Sequence, residues 1–417
     1  MARRGGRKSS WLPAACLGTL VFGVALPRPL ALCAQVVVED APAKLDGSDG
    51  RPLAIENFEP RSMLRSAQSN VDRAKFPVVD VHVHARYKLR QTTEALDEAV
   101  RAMDAHNIAV CVSLDGGLGD ELEKHLQFLG ERYAQRFVVF ANIDWRGDAP
   151  EDDPAAWDCQ RPDFARRTAQ ALAAAQRAGA VGVKIFKRFG LDYRNPDGSF
   201  LAVDDPRWDP IWEACGRLNL PILIHTADPA AFFLPVDRYN ERWEELSRHP
   251  DWSFADPAFP RREELLAARN RVIAKHPRTR FIGAHVANNP EDLAEVGKWL
   301  DAYPNLSVDI AARLAELGRQ PRTARQFFLK YSDRILFGTD GPRPPSRLRP
   351  HWRLLETWDE YFPYAEDQYP PQGLWQVDGL GLPDDTLRQV YSTNAARLIS
   401  GIAERLENYT VIAPRSP

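Results

Sequence analysis

Phe76-Pro-Val-Val-Asp-Val-His-Val-His84 alternates apolar and polar side chains with the period of a β-strand. Val79, Val81 and Val83 fall on one face, predicted to meet covering helices, and Asp80, His82 and His84 on the other. Two imidazoles one strand-repeat apart leave the same face and can hold one divalent ion from two sides. Asp80, one repeat deeper, is placed to accept a ring N–H and fix a tautomer. The competing reading is a buried strand with polar passengers, which would leave these groups unpaired at a desolvation cost of several kcal/mol. His-X-His alone is a short motif, so the remaining ligands must come from elsewhere in the chain.

Working outward, short Val/Ile-rich runs recur at 109–114, 136–143, 180–186, 220–225, 280–285, 306–310 and 334–340. Longer amphipathic stretches separate them at 93–106, 121–134, 162–178, 208–218, 262–276, 290–302 and 323–331, and a closing helix is expected over 384–407. With the first run, that is eight strands alternating with helices, which predicts an α/β (β/α)8 TIM barrel. A doubly wound open sheet is the alternative, but no Gly-X-Gly-X-X-Gly follows the first strand. The connections after strands 5 and 8, at 226–260 and 341–383, are long and rich in aromatic residues. Both lie at the carboxyl ends of strands, where they would wall a pocket or form the subunit contact of a homo-oligomer.

The chain has 417 residues, a hydrophobic content of 44% and a net charge of −3, the balance of a folded domain with a substantial core. No basic stripe with interleaved rings is present, so nucleic acid is excluded as a partner and a small molecule is expected. Residues 1–34 read as a signal peptide, with Arg3, Arg4, Arg7 and Lys8 before an apolar run at 11–26 and small residues at Ala31-Leu-Cys-Ala34. An exported protein follows, periplasmic or extracellular. The alternatives are an uncleaved membrane anchor or a lipid on Cys33. Residues 35–75 read as a linker and wrap-around segment, 76–405 as the barrel domain and 406–417 as a tail. Cys111, Cys159 and Cys215 are too scattered for a disulfide framework.

Polar residues stand at or near the ends of the apolar runs: Lys184, His225, His285 and Asp340, besides His82 and His84. Three imidazoles and a carboxylate at one mouth make a ligand set for a single divalent ion, zinc with manganese as the alternative. His82, His84, His225 and Asp340 are assigned to the metal. Asp340 is also the expected general base toward a metal-activated water. His285 is either a further ligand or a group that polarises a substrate carbonyl or carboxylate. Lys184 would pair with an anionic substrate, bridge a second metal if carbamylated, or snorkel at the barrel rim. Arg86 would bind a substrate carboxylate or lie exposed. Gly182, Gly283 and Gly338 share a face with Lys184, His285 and Asp340, which suggests an interior kept open below the ion. His106, His125, His249, His276 and His351 are expected at the surface or at helix caps.

Val79-Asp-Val-His-Val-His84, Gly182-Val-Lys184, Ile222-Leu-Ile-His225, Gly283-Ala-His285, Leu336-Phe-Gly-Thr-Asp340 and Asn394-Ala-Ala-Arg-Leu398 together resemble the amidohydrolase superfamily, in its amidohydrolase 2 branch. The resemblance spans about Val78 to Ser400. It implies a metal-dependent barrel with the first-strand histidines, His225 and Asp340 as ligands and His285 near the substrate. The branch holds hydrolases as well as non-oxidative decarboxylases of aromatic or unsaturated acids. The expected activity is therefore hydrolysis of an amide, ester or lactone, with decarboxylation as the alternative. A catalytically silent ligand-binding barrel is a further one.

Overall fold

The computed structural model describes residues 47–48, 53–58, 60–365 and 372–410. Eight parallel strands pair in chain order. They are β1 (Val78–Val83), β2 (Ile108–Ser113), β3 (Phe137–Asn142), β4 (Ala180–Ile185), β5 (Ile222–Ile224), β6 (Phe281–Gly283), β7 (Leu306–Asp309) and β8 (Ile335–Leu336). The ring closes because Val81 N–H donates to Phe337 O at 3.0 Å, Gly341 N–H donates to His82 O at 3.1 Å, and Val83 bridges Gly341 in parallel. The helices α1 (Thr93–His106), α2 (Asp120–Tyr133), α3 (Phe164–Ala178), α4 (Asp209–Arg217), α5 (Arg262–Lys275), α6 (Leu293–Ala302) and α7 (Pro321–Lys330) intervene in order. The fold is the (β/α)8 barrel expected from the alternation.

Local chemistry sets the helix ends. Thr92 caps α1 by accepting from Ala95 N–H, and Asn107 ends it in the left-handed conformation that asparagine tolerates. The closing helix is not continuous. It runs as Asp384–Arg388, a π-turn at Gln389–Thr393, and Asn394–Leu398, and breaks before Ile402–Glu407 at Gly401, whose φ is 78°. Ala395, Ile399 and Ile402 from these pieces join Val79, Val81, Val110, Val112, Phe140, Leu223, Ile282 and Leu336 in the cluster that fills the barrel.

That cluster corrects the reading of β1. Val79 and Val81 point into the barrel, whereas Val83 joins the outer layer. Asp80 pairs with Cys111 and Val83 with Ser113, so β1 carries one residue more than β2 over this step. This bulge inverts the alternation half-way along the strand. Below it Asp80 faces out and the valines face in. Above it His82 comes round to the mouth. The glycine reading is also corrected. A Cβ on Gly182 would sit 2.4 Å from the Phe140 ring, and one on Gly338 would sit 3.0 Å from His82 Cβ. These glycines admit close neighbours, and the interior beneath the mouth is filled.

Met1–Leu64 and Arg65–Pro417 are separate units. The described part of the first contains one 3-10 turn, Ile55–Asn57. Residues 1–46, with the expected leader, and 411–417 of the tail lie outside the described residues. In the second unit, Ser69 donates its N–H and hydroxyl to Asp359, and Lys75 Nζ pairs with Asp384 at 2.6 Å. No helix among the described residues is long and apolar enough to cross a membrane.

The histidines assigned to the surface are mostly buried. Trp352 Nε1 donates to His106, His276 bonds Asp209 at 2.9 Å where it caps α5, and His125 bonds Ser113 Oγ at 2.8 Å. His249 stacks on Trp252 with ring centroids 4.1 Å apart. His249 is exposed and His276 caps a helix, as expected; period-based reading placed His106, His125 and His351 outside because it treats imidazole as polar, yet a neutral ring with one partner packs well. Burial lowers His125 to about 4. The unfolded chain takes up that proton near pH 6.5, so stability falls as pH drops from about 6.5 to 4, by up to about 3 kcal/mol. The double substitution Ser113→Ala, His125→Phe should make this acid limb shallower in urea melts at pH 7 and 4.5, leaving the share that His82, His225, His285 and His351, also lowered by burial, contribute. An unchanged limb would place the acid sensitivity elsewhere.

Candidate metal centre

The bulged end of β1 presents His82 and His84 to Asp340, in the connection after β8. Asp340 Oδ1 lies 3.3 Å from His84 Nε2 and 3.9 Å from His82 Nε2. Donor atoms of these residues all lie within 4.8 Å of one another. Asp340 is in the left-handed region, φ 57°, a strained conformation held by the chain returning against β1.

Each ring is fixed from behind. His82 Nδ1 meets Asp309 Oδ2 at 2.9 Å, and His84 Nδ1 meets Asp115 Oδ1 at 2.7 Å. Two carboxylates taking the Nδ1 protons leave both Nε2 lone pairs facing forward. Asp309 Oδ1 further accepts from the N–H groups of His285 and Ala311 at 3.0 and 2.9 Å. Asp309 is therefore the junction between β1, β6 and β7. Its proximity to His82 and His285 is explained by hydrogen bonds, without a second ion.

Asp80 does not have the role expected of it. Its carboxylate accepts from Thr339 N–H, the Thr339 hydroxyl and His82 N–H, and it touches no ring nitrogen. The bulge sends it to the outer side, where burial raises it to about 7. The partners Asp309 and Asp115 were missed. Both stand at strand ends, the same signal that marked Asp340.

His285 heads a run of left-handed residues, His285 to Asn288, with φ from 52° to 58°. Arg269 donates to Ala287 O and Arg262 to Asn288 O, each at 2.5 Å, and so hold this turn. His285 Nδ1 lies 2.8 Å from Ala311 O and must donate to it, so a neutral ring keeps a lone pair on Nε2. Burial keeps the ring neutral, well below the usual histidine value. It is thus placed as a proton acceptor or ligand, and polarising a substrate carbonyl or carboxylate through Nε2 would need the ring to take up a second proton.

His225, beyond β5, stands 4.5 Å from His285 between ring centroids but outside the His82–His84–Asp340 group. Its Nε2 is 3.5 Å from Asp228 Oδ1. The Nε2 atoms of His82 and His225 are buried without a hydrogen-bond partner among the described residues. Two orphaned imidazole nitrogens beside a carboxylate are what a divalent ion would satisfy, so the residues fit a metal. Burial raises the Asp340 carboxyl, but His84, His82 and Lys88 outweigh it and hold the group well below the usual range.

Lys184 is 1% exposed, which overturns the rim position. Its Nζ has no hydrogen-bond partner among the described residues and sits 5.6 Å over the Phe186 ring. Burial lowers it to about 8 against the pull of Asp309, Asp340 and Asp115. It does not line the cavity. Nor does Arg86, whose guanidinium pairs with Glu121 at 3.1 Å.

Above the centre lies a cavity of about 470 Å³ lined by His225, His285 and Asp340 and by both long connections. The first connection contributes Asp228, Phe232, Arg242, Glu245 and Trp252, and the second contributes Arg343, His351 and Tyr364. The aromatic loops thus form the pocket wall.

A family model described as Amidohydrolase matches residues 79–400. Among solved structures, a 2,6-dihydroxybenzoate decarboxylase complexed with 2,6-dihydroxybenzoate is 19% identical at a TM-score of 0.44, covering 78% of this chain and 99% of its own. A dihydroxybenzoic acid decarboxylase from Polaromonas sp. JS666, with bound manganese and 2-nitroresorcinol, is 18% identical at 0.42, covering 78% and 96%. The 5-carboxyvanillate decarboxylase of Sphingomonas paucimobilis is 14% identical at 0.43, covering 78% and 99%.

Proposed function

Because this chain belongs to the amidohydrolase family, we propose that it is a metal-dependent hydrolase opening an amide, ester or lactone bond of a small molecule. The observation that carries this is the meeting of the Nε2 atoms of His82 and His84 with the carboxylate of Asp340. His82, His84, His225 and Asp340 would hold one divalent ion, zinc or manganese. When bound, such an ion supplies a Lewis acid that acidifies water and polarises a carbonyl.

The chain's own groups do the rest. Asp340, reachable from the cavity, takes a proton from water and returns it to the leaving group. His285 Nε2, with its lone pair free, is the second proton acceptor. Phe232, Trp252 and Tyr364 cover the reacting bond and limit water. A carboxy-lyase on the same centre is the second reading, favoured by the cations Lys88, Lys187, Arg313 and Arg343 in the wall.

The two separate in one screen. Metal-loaded protein offered esters, lactones and aromatic carboxylates should release acid from an ester or lactone without CO₂. Release of CO₂ from an acid, with every ester and lactone inert, would replace the hydrolase reading with the lyase.

A further inference from the structure

Unlike His82, His84 and His225, Asp340 stands in the left-handed region, which a residue with a Cβ occupies only at a cost. Its neighbours are tied to β1. Thr339 N–H donates to Asp80 at 3.1 Å, Gly341 N–H donates to His82 O at 3.1 Å, and Gly341 O accepts from His84 N–H at 2.7 Å. The carbonyls on either side of the Asp340 α-carbon are taken by cations instead. Arg343 Nε donates to Thr339 O at 3.1 Å, and Lys88 Nζ donates to Asp340 O. The same two cations flank the carboxylate, Arg343 at 3.6 Å from Oδ2 and Lys88 at 4.0 Å from Oδ1.

Two planar peptide units meet at an α-carbon, so gripping both carbonyls fixes φ and ψ between them. The direction in which the Asp340 side chain leaves the backbone is fixed with them. Lys88 adds a second link. It ends the single helical turn Ala85–Lys88, and its own N–H donates to His84 O at 3.0 Å. Lys88 therefore joins the backbone of His84 to that of Asp340, where the chain after β8 meets β1.

We propose that Lys88 and Arg343 are positioning residues of the metal centre, a clamp that holds the strained Asp340 with its carboxylate toward His82 and His84. The proposal rests on reading these residues as a metal centre. Both cations are partly exposed, and ion pairs of that kind contribute little to stability, so their effect falls on orientation rather than on folding. Charge alone would act in the other direction. A cation beside the carboxylate repels an incoming divalent ion, and its removal would tighten binding. Orientation predicts the opposite sign.

Titration of chelator-treated protein with Zn²⁺ against a competing chelator tests this without any turnover. Lys88→Met keeps the length of the side chain and removes its charge and donors. It should bind Zn²⁺ about tenfold more weakly than wild type, the lower end of what supporting groups of a metal site contribute. Arg343→Gln should act in the same direction, and Lys88→Arg, which keeps charge and donors, should restore most of the affinity. In an Asp340→Asn background, Lys88→Met should cost less than about twofold, because the carboxylate that it places is gone and the two losses do not add. Metal-free Lys88→Met should melt close to wild type. Unchanged or tighter Zn²⁺ binding by Lys88→Met, an equal loss in both backgrounds, or a matching drop in melting temperature overturns the proposal. A wild type that takes up no Zn²⁺ overturns the centre and the clamp with it, whereas wild-type uptake with an indifferent Lys88→Met overturns the clamp alone.

Discussion

Asp340→Asn is expected to lower kcat by roughly 10³-fold, within the range general acid–base catalysis supplies, while the protein keeps most of its metal. The substitution removes the proton-accepting charge and leaves an amide oxygen of similar shape. His82 Nε2 and His84 Nε2 remain, each fixed by its own carboxylate. KM should change little, since Asn keeps the shape of the one lining side chain it replaces and the rest of the wall is unchanged. Metal content by plasma emission, measured beside steady-state rates on an ester or lactone found by the screen, separates the two roles of Asp340. A variant that keeps a tenth or more of the activity would remove Asp340 as the base. A variant that loses metal and activity together would make it a ligand first. The variant should also lose the ion pairing that Lys88 and Arg343 make with this carboxylate. Both are partly exposed, so that loss should cost little stability.

How far the chain could be read without coordinates depended on whether a signal was local. The alternation of strands and helices is local, and it placed the seven helices between the strands to within a few residues, because each strand is a short apolar run and each of these helices a long amphipathic one, but it missed Pro345–Glu356 inside the second long connection. The strand-end rule found His285 and Asp340 for the same reason. It also covered Asp309 and Asp115, but a carboxylate at a strand end does not show whether it will meet a metal or a histidine ring. The β1 bulge was illegible. It arises from pairing Asp80–Val83 with Cys111–Ser113, one residue shorter over that step, and no residue of β1 encodes the mismatch alone. From that one slip follow the inverted valines and the outward turn of Asp80. Arg313 was illegible for a related reason. Nothing in Ala311-Ala-Arg313 reveals that the arginine will be buried, because its burial comes from two connections far away in the chain.

The double substitution His82→Ala, His84→Ala should take bound metal from about one equivalent to none, since it removes both of the imidazoles that meet Asp340. It also leaves Asp309 Oδ2 without its ring partner in a fully buried position. Some loss of thermal stability is therefore expected in metal-free and metal-treated protein alike, and metal content is the quantity to read. Asp309→Asn separates a ligand from its support. An amide in place of the carboxylate can no longer be relied on to take the Nδ1 proton, so His82 is free to protonate Nε2 instead and lose its forward lone pair. Metal affinity should then fall by about 10- to 100-fold, the range measured for such supporting carboxylates, with both imidazoles still present. Titration with Zn²⁺ against a competing chelator ranks the three proteins: wild type tightest, Asp309→Asn weaker, the double variant without binding. Retention of a full equivalent by the double variant would refute the centre, since the remaining side chains, His225, His285 and Asp340, would then be sufficient to hold the ion.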